Sequence, residues 1–97
     1  MTTTTDTKVF KSIMNGWTAE TYFNIEGKDV EITTLKRYNG QIATFYQYGK
    51  RHDNGFSFMM FQDERATLVT EPGRATEKTV ADQHTRAIHI FKQLKGI

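Results

Sequence analysis

Three Asn-Gly dipeptides, at residues 15–16, 39–40 and 54–55, constrain the fold of this chain more than any other sequence feature. The first two lie between stretches in which apolar and polar residues alternate, which is the period of a half-buried β-strand. Asn-Gly favours a type I′ turn because both residues tolerate positive φ at low cost. The sequence therefore predicts β-hairpins with a defined register, and register decides which side chains share a face of the sheet.

The alternating stretches predict an antiparallel meander of five or six strands. The expected strands are 8–14, 17–25, 30–38, 41–48 and 56–62, and a short sixth strand at 66–70 stays open. Residues 49–55 are interpreted as a polar loop. The Glu71-Pro72-Gly73 segment is predicted to be a turn, since Pro presets φ and Gly accepts the left-handed position.

The C-terminal segment changes to a helical period. Thr76 is the expected N-cap of this helix, and Gly96 lies where it should end. The predicted fold class is thus α+β, a meander sheet with one C-terminal helix packed on one face. It occupies residues 8–97, and residues 1–7 are expected to be a disordered tail. The apolar stripe of the helix comprises Val80, His84, Ala87, Ile88, Phe91 and Leu94.

Two-residue turns at 15–16, 27–28 and 39–40 would define the two faces of the sheet. They pair Trp17 with Met14 and Phe45 with Thr34. One face then collects most of the large apolar residues, and the helix stripe is its expected cover. This predicted core face comprises Phe10, Met14, Trp17, Ala19, Phe23, Ile25, Val30, Ile32, Ala43 and Phe45.

The opposite face is rich in tyrosine, and it gives the predicted partner-binding residues. We expect contact through this face or through the basic stretch at its edge. The expected residues are Tyr22, Arg37, Tyr46, Tyr48, Lys50, Arg51 and His52. Three interpretations stay open: exposed tyrosines that simply favour strands, a protein interface, and a platform that stacks single-stranded nucleic acid.

Residues 56–61 are apolar on both sides of the predicted strand. One helix cannot cover a sheet of this size, so we expect a homodimer or another protein to cover part of this strand. The alternative is a central strand that the tail or a loop covers.

Composition limits the classes of function. The chain has 97 residues, which suffice for one domain with a modest core, and its net charge is only +2. That charge matches neither a strongly basic nucleic-acid binder nor an acidic mimic of DNA. The chain has no cysteine and no apolar run long enough to span a bilayer. We expect a cytoplasmic protein with no membrane partner.

No residue pattern indicates catalysis, so we expect a protein that is not an enzyme and has no catalytic residues, cofactor or metal. His52 and Asp53 are sequence neighbours in a polar loop, and adjacency is not the geometry of a base with its orienting carboxylate. His84 lies on the apolar helix stripe and is interpreted as a satisfied core residue. His89 lies five residues further on, which is the wrong spacing for two metal ligands on one helix face.

In its small size, single domain and lack of catalytic motifs, the chain resembles the accessory proteins of phages and other mobile elements, including anti-CRISPR and other counter-defence inhibitors. The resemblance implies an inhibitor or adaptor that occludes a surface of a host protein or nucleoprotein complex, in the host cell cytoplasm if the protein is phage-encoded. The alternative is a single-stranded nucleic-acid-binding module that uses the Tyr, Arg and Lys side chains of the sheet.

Overall fold

The structure is a computed structural model. It describes residues 2–37, 39–51 and 58–97, with side chains for all of these except residues 51 and 58–64. The sheet is antiparallel: β3 to β6 are neighbours in chain order, and β1 and β2 both pair with β3. The predicted α+β meander of six strands with a C-terminal helix packed against it is confirmed. The elements are β1 (Thr2–Thr4), β2 (Lys8–Ser12), β3 (Gly16–Ile25), β4 (Lys28–Lys36), β5 (Gln41–Arg51), β6 (Phe58–Pro72) and α1 (Glu77–Lys95).

The two ends of the sheet differ from the prediction. The expected N-terminal tail contains β1, which pairs with β3 through Thr2 and Ile25. β6 covers residues 58–62 and 66–70 of the two expected strands in one continuous strand, and β5 runs into the expected loop 49–55. β6 also continues through Pro72, so the turn predicted at 71–73 is wrong for its first two residues. The homodimer prediction depended on the side chains of residues 56–61, which lie outside those described.

The hairpin turns are also different. Glu26 and Gly27, with φ of 51° and 87°, form the two-residue turn that joins β3 to β4, as type I′ geometry requires. The two Asn-Gly hairpins have longer loops: Ser12 pairs with Gly16, and the Arg37 N–H donates to the Gln41 carbonyl at 2.8 Å. Three residues therefore separate each pair instead of two.

These longer loops move side chains to the other face of the sheet. Trp17 pairs with Lys11, which is three positions before the predicted partner Met14. Thr34 pairs with Thr44, which is one position before the predicted partner Phe45. A shift by an odd number of residues exchanges the two faces of a strand. The predicted faces of β2 and β5 are therefore wrong. The β3–β4 hairpin shifts by two residues, so its predicted faces are right: Val30 pairs with Phe23 instead of Ile25.

The core lies between α1 and the sheet in two apolar clusters. One cluster packs Phe91 of the helix against Phe23, Val30 and Ile32. The other packs Val80 against Ala19 and Ile42. The predicted core residues Phe10 and Met14 are exposed, and the register places Ala43 and Phe45 on the face away from the helix.

Both predicted ends of α1 are confirmed. The Thr76 hydroxyl accepts from the Thr79 N–H at 3.1 Å, and the Thr79 hydroxyl accepts from the Thr76 N–H at 2.8 Å. Such a capping box contributes about 1 kcal/mol. Gly96 ends the helix with φ of 68°. In the described part of the chain, no helix has an apolar stretch long enough to cross a membrane.

A buried chain of hydrogen bonds crosses the sheet between the two apolar clusters, and His84 of the helix lies at its centre. His84 Nε2 lies 2.7 Å from the Thr21 hydroxyl, and Nδ1 lies 2.7 Å from the Thr34 hydroxyl. Thr34 continues to Thr44 at 2.6 Å, and Thr44 accepts from the Gln83 amide at 3.2 Å. The prediction that His84 is a satisfied core residue is confirmed.

The direction of this chain follows from its Gln83 end. Gln83 Nε2 must be a donor, because it also bonds the Ile42 carbonyl at 3.0 Å. Thr44 is buried and accepts from Gln83, so its own proton is satisfied only if it donates to Thr34. Thr34 then donates to His84 Nδ1, and Nε2–H donates to Thr21. The network therefore requires a neutral imidazole.

Burial lowers the pKa of His84 from its ordinary value of 6.5 to about 4. Between these two values the unfolded chain binds the proton and the folded chain does not, so acid favours unfolding. The contribution of the neutral His84 to the free energy of unfolding is complete above pH 6.5 and is lost as the pH falls towards 4. From pH 7 to pH 5, we expect the free energy of unfolding to fall by about 2 kcal/mol.

Urea denaturation at both pH values measures this loss, with His84→Gln and His89→Gln as comparison variants. The exposed His89 should leave the pH dependence unchanged, whereas His84→Gln should be less stable at pH 7 and lose most of the pH dependence. Equal pH dependence in wild type and His84→Gln would contradict the assignment.

Candidate functional site

The sheet face that points away from α1, which we call the open face, contains cavities between its side chains. Two shifts in the β5–β6 register, between Thr44 and Phe45 and between Gln47 and Gly49, bend these strands. Thr33 and Phe45 are only 5% and 7% exposed although the helix lies on the other side of the sheet. The open face is therefore a groove with partly shielded side chains.

The structure separates the predicted partner-binding residues. Tyr22 and Arg37 lie on the open face, but Tyr46 and Tyr48 lie on the helix side, so their prediction as members of the same face is wrong. The Tyr46 ring packs 5.2 Å from the Phe91 ring, and the Lys95 ammonium lies 5.1 Å from Tyr46 and 5.2 Å from Tyr48.

The basic stretch is only partly described. Lys50 is exposed and alternates onto the helix side with Tyr48. Arg51 pairs with Phe58 through the backbone, and its side chain lies outside the described part of the structure, as does the whole of His52. No stacked row of tyrosines with these cations forms among the described residues.

Two arginines meet over an aromatic ring at the centre of the open face. The Arg65 guanidinium lies 3.9 Å from the centre of the Phe45 ring, and that of Arg37 lies 5.7 Å from it. We call Arg37 and Arg65 the arginine pair. No carboxylate of the described residues forms a salt bridge with either one. Burial lowers the pKa of Arg65, and the positive charge of Arg37 lowers it further.

A cavity of about 410 Å³ opens beside the arginine pair. Besides the two guanidinium groups and Phe45, it is lined by side chains that can donate hydrogen bonds: Asn39, Gln41 and Thr67. Guanidinium groups and neutral donors around an open space are the groups that bind carboxylates and phosphates. This part of the groove can therefore hold an anionic group.

The groove also contains two carboxylates, Glu20 and Glu31, which we call the acidic pair. Glu31 accepts from the Gln47 amide at 2.7 Å and from the Thr33 hydroxyl at 3.0 Å, and Glu20 accepts from the Tyr22 hydroxyl at 3.3 Å. Burial raises the pKa of Glu20, and Glu31 raises it further. Burial and both glutamates raise the pKa of Tyr22.

Apolar side chains project beside the arginine pair. Ile13 is fully exposed and Met14 is 91% exposed in the loop between β2 and β3, and we call these two residues the hairpin tip. A further cavity, of about 550 Å³, is lined by Met14, Leu35, Arg37 and Arg65. The hairpin tip thus adjoins the arginine pair through Met14.

The sequence analysis missed Phe45, Arg65 and the hairpin tip as parts of the site for two physical reasons. Two-residue turns placed Phe45 and Met14 on the helix side, whereas the true register places Phe45, still buried, on the open face and Met14 in an exposed loop. Arg65 lay just before the short strand predicted at 66–70, whereas β6 extends through it.

Comparison of the chain with family models, with characterised proteins and with solved structures finds no match. The chemistry of the open face therefore follows from its own geometry. No three His, Asp or Glu side chains in the described ranges converge into a group that could hold a metal ion. The groups that this face offers are two cations over a ring, a pair of carboxylates and an apolar tip.

We expect the arginine pair to contribute little to folding, because two adjacent cations repel each other. Arg37→Gln removes this repulsion and leaves Arg65 on the Phe45 ring, so the free energy of unfolding should stay within about 0.5 kcal/mol of wild type or rise. Urea denaturation measures the change. Arg86→Gln is the control, since it breaks a two-bond pair with Glu71 at 2.6 and 3.0 Å and should be less stable than wild type. Destabilisation by Arg37→Gln beyond that of the control would show that the pair serves the fold.

Proposed function

We propose that this protein is a non-enzymatic binding protein that uses its open face to occlude an acidic surface of a host protein or nucleoprotein complex. The observation that carries the proposal is the arginine pair over Phe45, with no carboxylate partner in the described part of the chain. An acidic side chain of a partner would supply the missing charge.

The electrostatics of the pair support this function. Partial burial lowers the pKa of Arg65, and the positive charge of Arg37 lowers it further, so the two guanidinium groups repel each other. An anion placed between the two guanidinium groups removes the repulsion and gains charge-assisted hydrogen bonds. The arrangement is thus more favourable with a ligand than without one.

The residue types around the pair are those of a protein interface. Arginine, aromatic residues and methionine are enriched in such interfaces, and the residues that dominate binding cluster in shielded pockets. The open face supplies a shielded Phe45, the arginine pair and the hairpin tip. Burial of the exposed Ile13 and Met14 side chains by a partner would lower the free energy of the complex.

The alternative, a platform for single-stranded nucleic acid, is supported less well. It depended on Tyr46 and Tyr48, which pack towards the helix. The acidic pair lies in the same groove as the arginine pair and would repel a phosphate backbone. The resemblance to counter-defence inhibitors agrees with occlusion of a host complex, and we keep it as part of this proposal.

The test is a pull-down from a host lysate with the tagged protein, with and without nuclease, read by mass spectrometry. We compare wild type with Arg37→Ala/Arg65→Ala and with Arg74→Ala/Lys92→Ala, which removes two exposed cations outside the open face. Wild type and control should capture the same protein with or without nuclease, and the arginine-pair variant should lose it. Circular dichroism verifies that all three are folded.

Three results would overturn this proposal. They are capture of the same protein by the arginine-pair variant, capture of nucleic acid alone that disappears with nuclease, and capture of nothing by the folded wild type.

The hairpin tip gives a second prediction. Ile13→Ser/Met14→Ser should leave the thermal midpoint unchanged, because both side chains are already exposed, and should weaken capture of the partner. Equal capture by this variant and by wild type, quantified at equal bait concentration, would exclude the tip from the interface.

A further inference from the structure

The groove of the open face has two ends of opposite charge. One cavity, of about 350 Å³, is lined by both members of the acidic pair and by both members of the arginine pair. The two pairs therefore face one shared space.

Gln47 keeps these opposite charges apart. It lies between Glu31 and Arg65 in one row across β4, β5 and β6. Its amide donates to Glu31 at 2.7 Å, so a neutral side chain occupies the position between the carboxylate and the guanidinium. Among the described residues, neither glutamate forms a salt bridge with an arginine of the groove.

The register sets how the two ends are separated. Glu20 lies in the same row as Thr33 and Phe45, the residue under the arginine pair. Glu31 lies in the same row as Gln47 and Arg65. In both rows the carboxylate is two strands away, about 10 Å across the sheet, from Phe45 or Arg65.

We propose that the groove recognises an extended protein segment that carries both an acidic and a basic side chain. The acidic side chain binds between Arg37 and Arg65, and the basic side chain binds Glu20 and Glu31. This inference rests on the proposed function and adds the chemistry of the partner. The charge complementarity selects a protein segment over a uniform polyanion, because the acidic pair repels phosphate.

The experiment is selection of a displayed library of random nine-residue peptides on the immobilised full chain. Three further baits run in parallel: Arg37→Ala/Arg65→Ala, Glu20→Gln/Glu31→Gln, and the control Glu77→Gln/Asp82→Asn, which changes two exposed carboxylates of α1. Wild type and control should enrich peptides that carry both an acidic and a basic residue at a constant spacing. The arginine-pair variant should lose only the acidic preference, and the acidic-pair variant only the basic one.

Direct binding measurements test the same inference quantitatively. A synthetic peptide selected on wild type should bind the arginine-pair variant and the acidic-pair variant about tenfold more weakly than it binds the control variant. Binding of nucleic acid is tested with a thymidine 20-mer. Neither wild type nor Glu20→Gln/Glu31→Gln should bind this oligonucleotide. Thermal unfolding verifies that the variants are folded.

The outcomes separate this inference from the proposed function. Enriched peptides that are acidic only, with affinity unchanged or increased in Glu20→Gln/Glu31→Gln, would overturn the two-charge motif and leave the occluding function in place. No peptide enrichment on the folded wild type, or binding of the thymidine 20-mer that strengthens when the glutamates are neutralised, would overturn both.

Discussion

The hydrogen-bonded chain through His84 is the interaction on which the rest of the structure depends. It joins the helix to three strands through Thr21, Thr34 and Thr44, and every member is buried. A buried polar group that loses its partner costs about 1–3 kcal/mol. If β5 slipped by one residue, a neighbour of Thr44 would face the helix, and Thr34 and Gln83 would each lose a bond. The network therefore fixes the register of the sheet.

The same register creates the candidate site. Because the Thr44 side chain points towards the helix, Phe45 points to the open face, where the arginine pair stacks over its ring. The alternation also gives Gln47 to the open face, between the acidic pair and Arg65. A polar network on one side of the sheet thus determines which residues a partner meets on the other.

The sequence predicted the order and type of the elements because these depend on local signals. Alternation gave the strands, and the helical period with Thr76 and Gly96 gave α1 and its ends. It did not predict the faces, because an Asn-Gly pair indicates a hairpin without determining whether its loop has two or three residues. The face with more apolar residues was therefore assigned to the core, which favoured Ala43 and Phe45 over Thr44. His84 held the missing signal: a buried imidazole needs partners at both nitrogens, and only a row of threonines on the facing strands supplies them.

Keeping the acidic pair and the arginine pair close but unpaired forgoes the stabilisation of a salt bridge. It also allows the groove to discriminate between ligands by their charge. If Gln47 were replaced by a cation, Glu31 would be neutralised within the sheet and the groove would lose one of its ends. With Gln47 between them, the acidic pair and the arginine pair both stay available to a ligand. A ligand of uniform charge gains at one end of the groove and is repelled at the other. Repulsive contacts against the wrong partner are a general source of specificity. In the proposed recognition, the groove disfavours nucleic acids and polyanions and favours a segment whose two charges match its own.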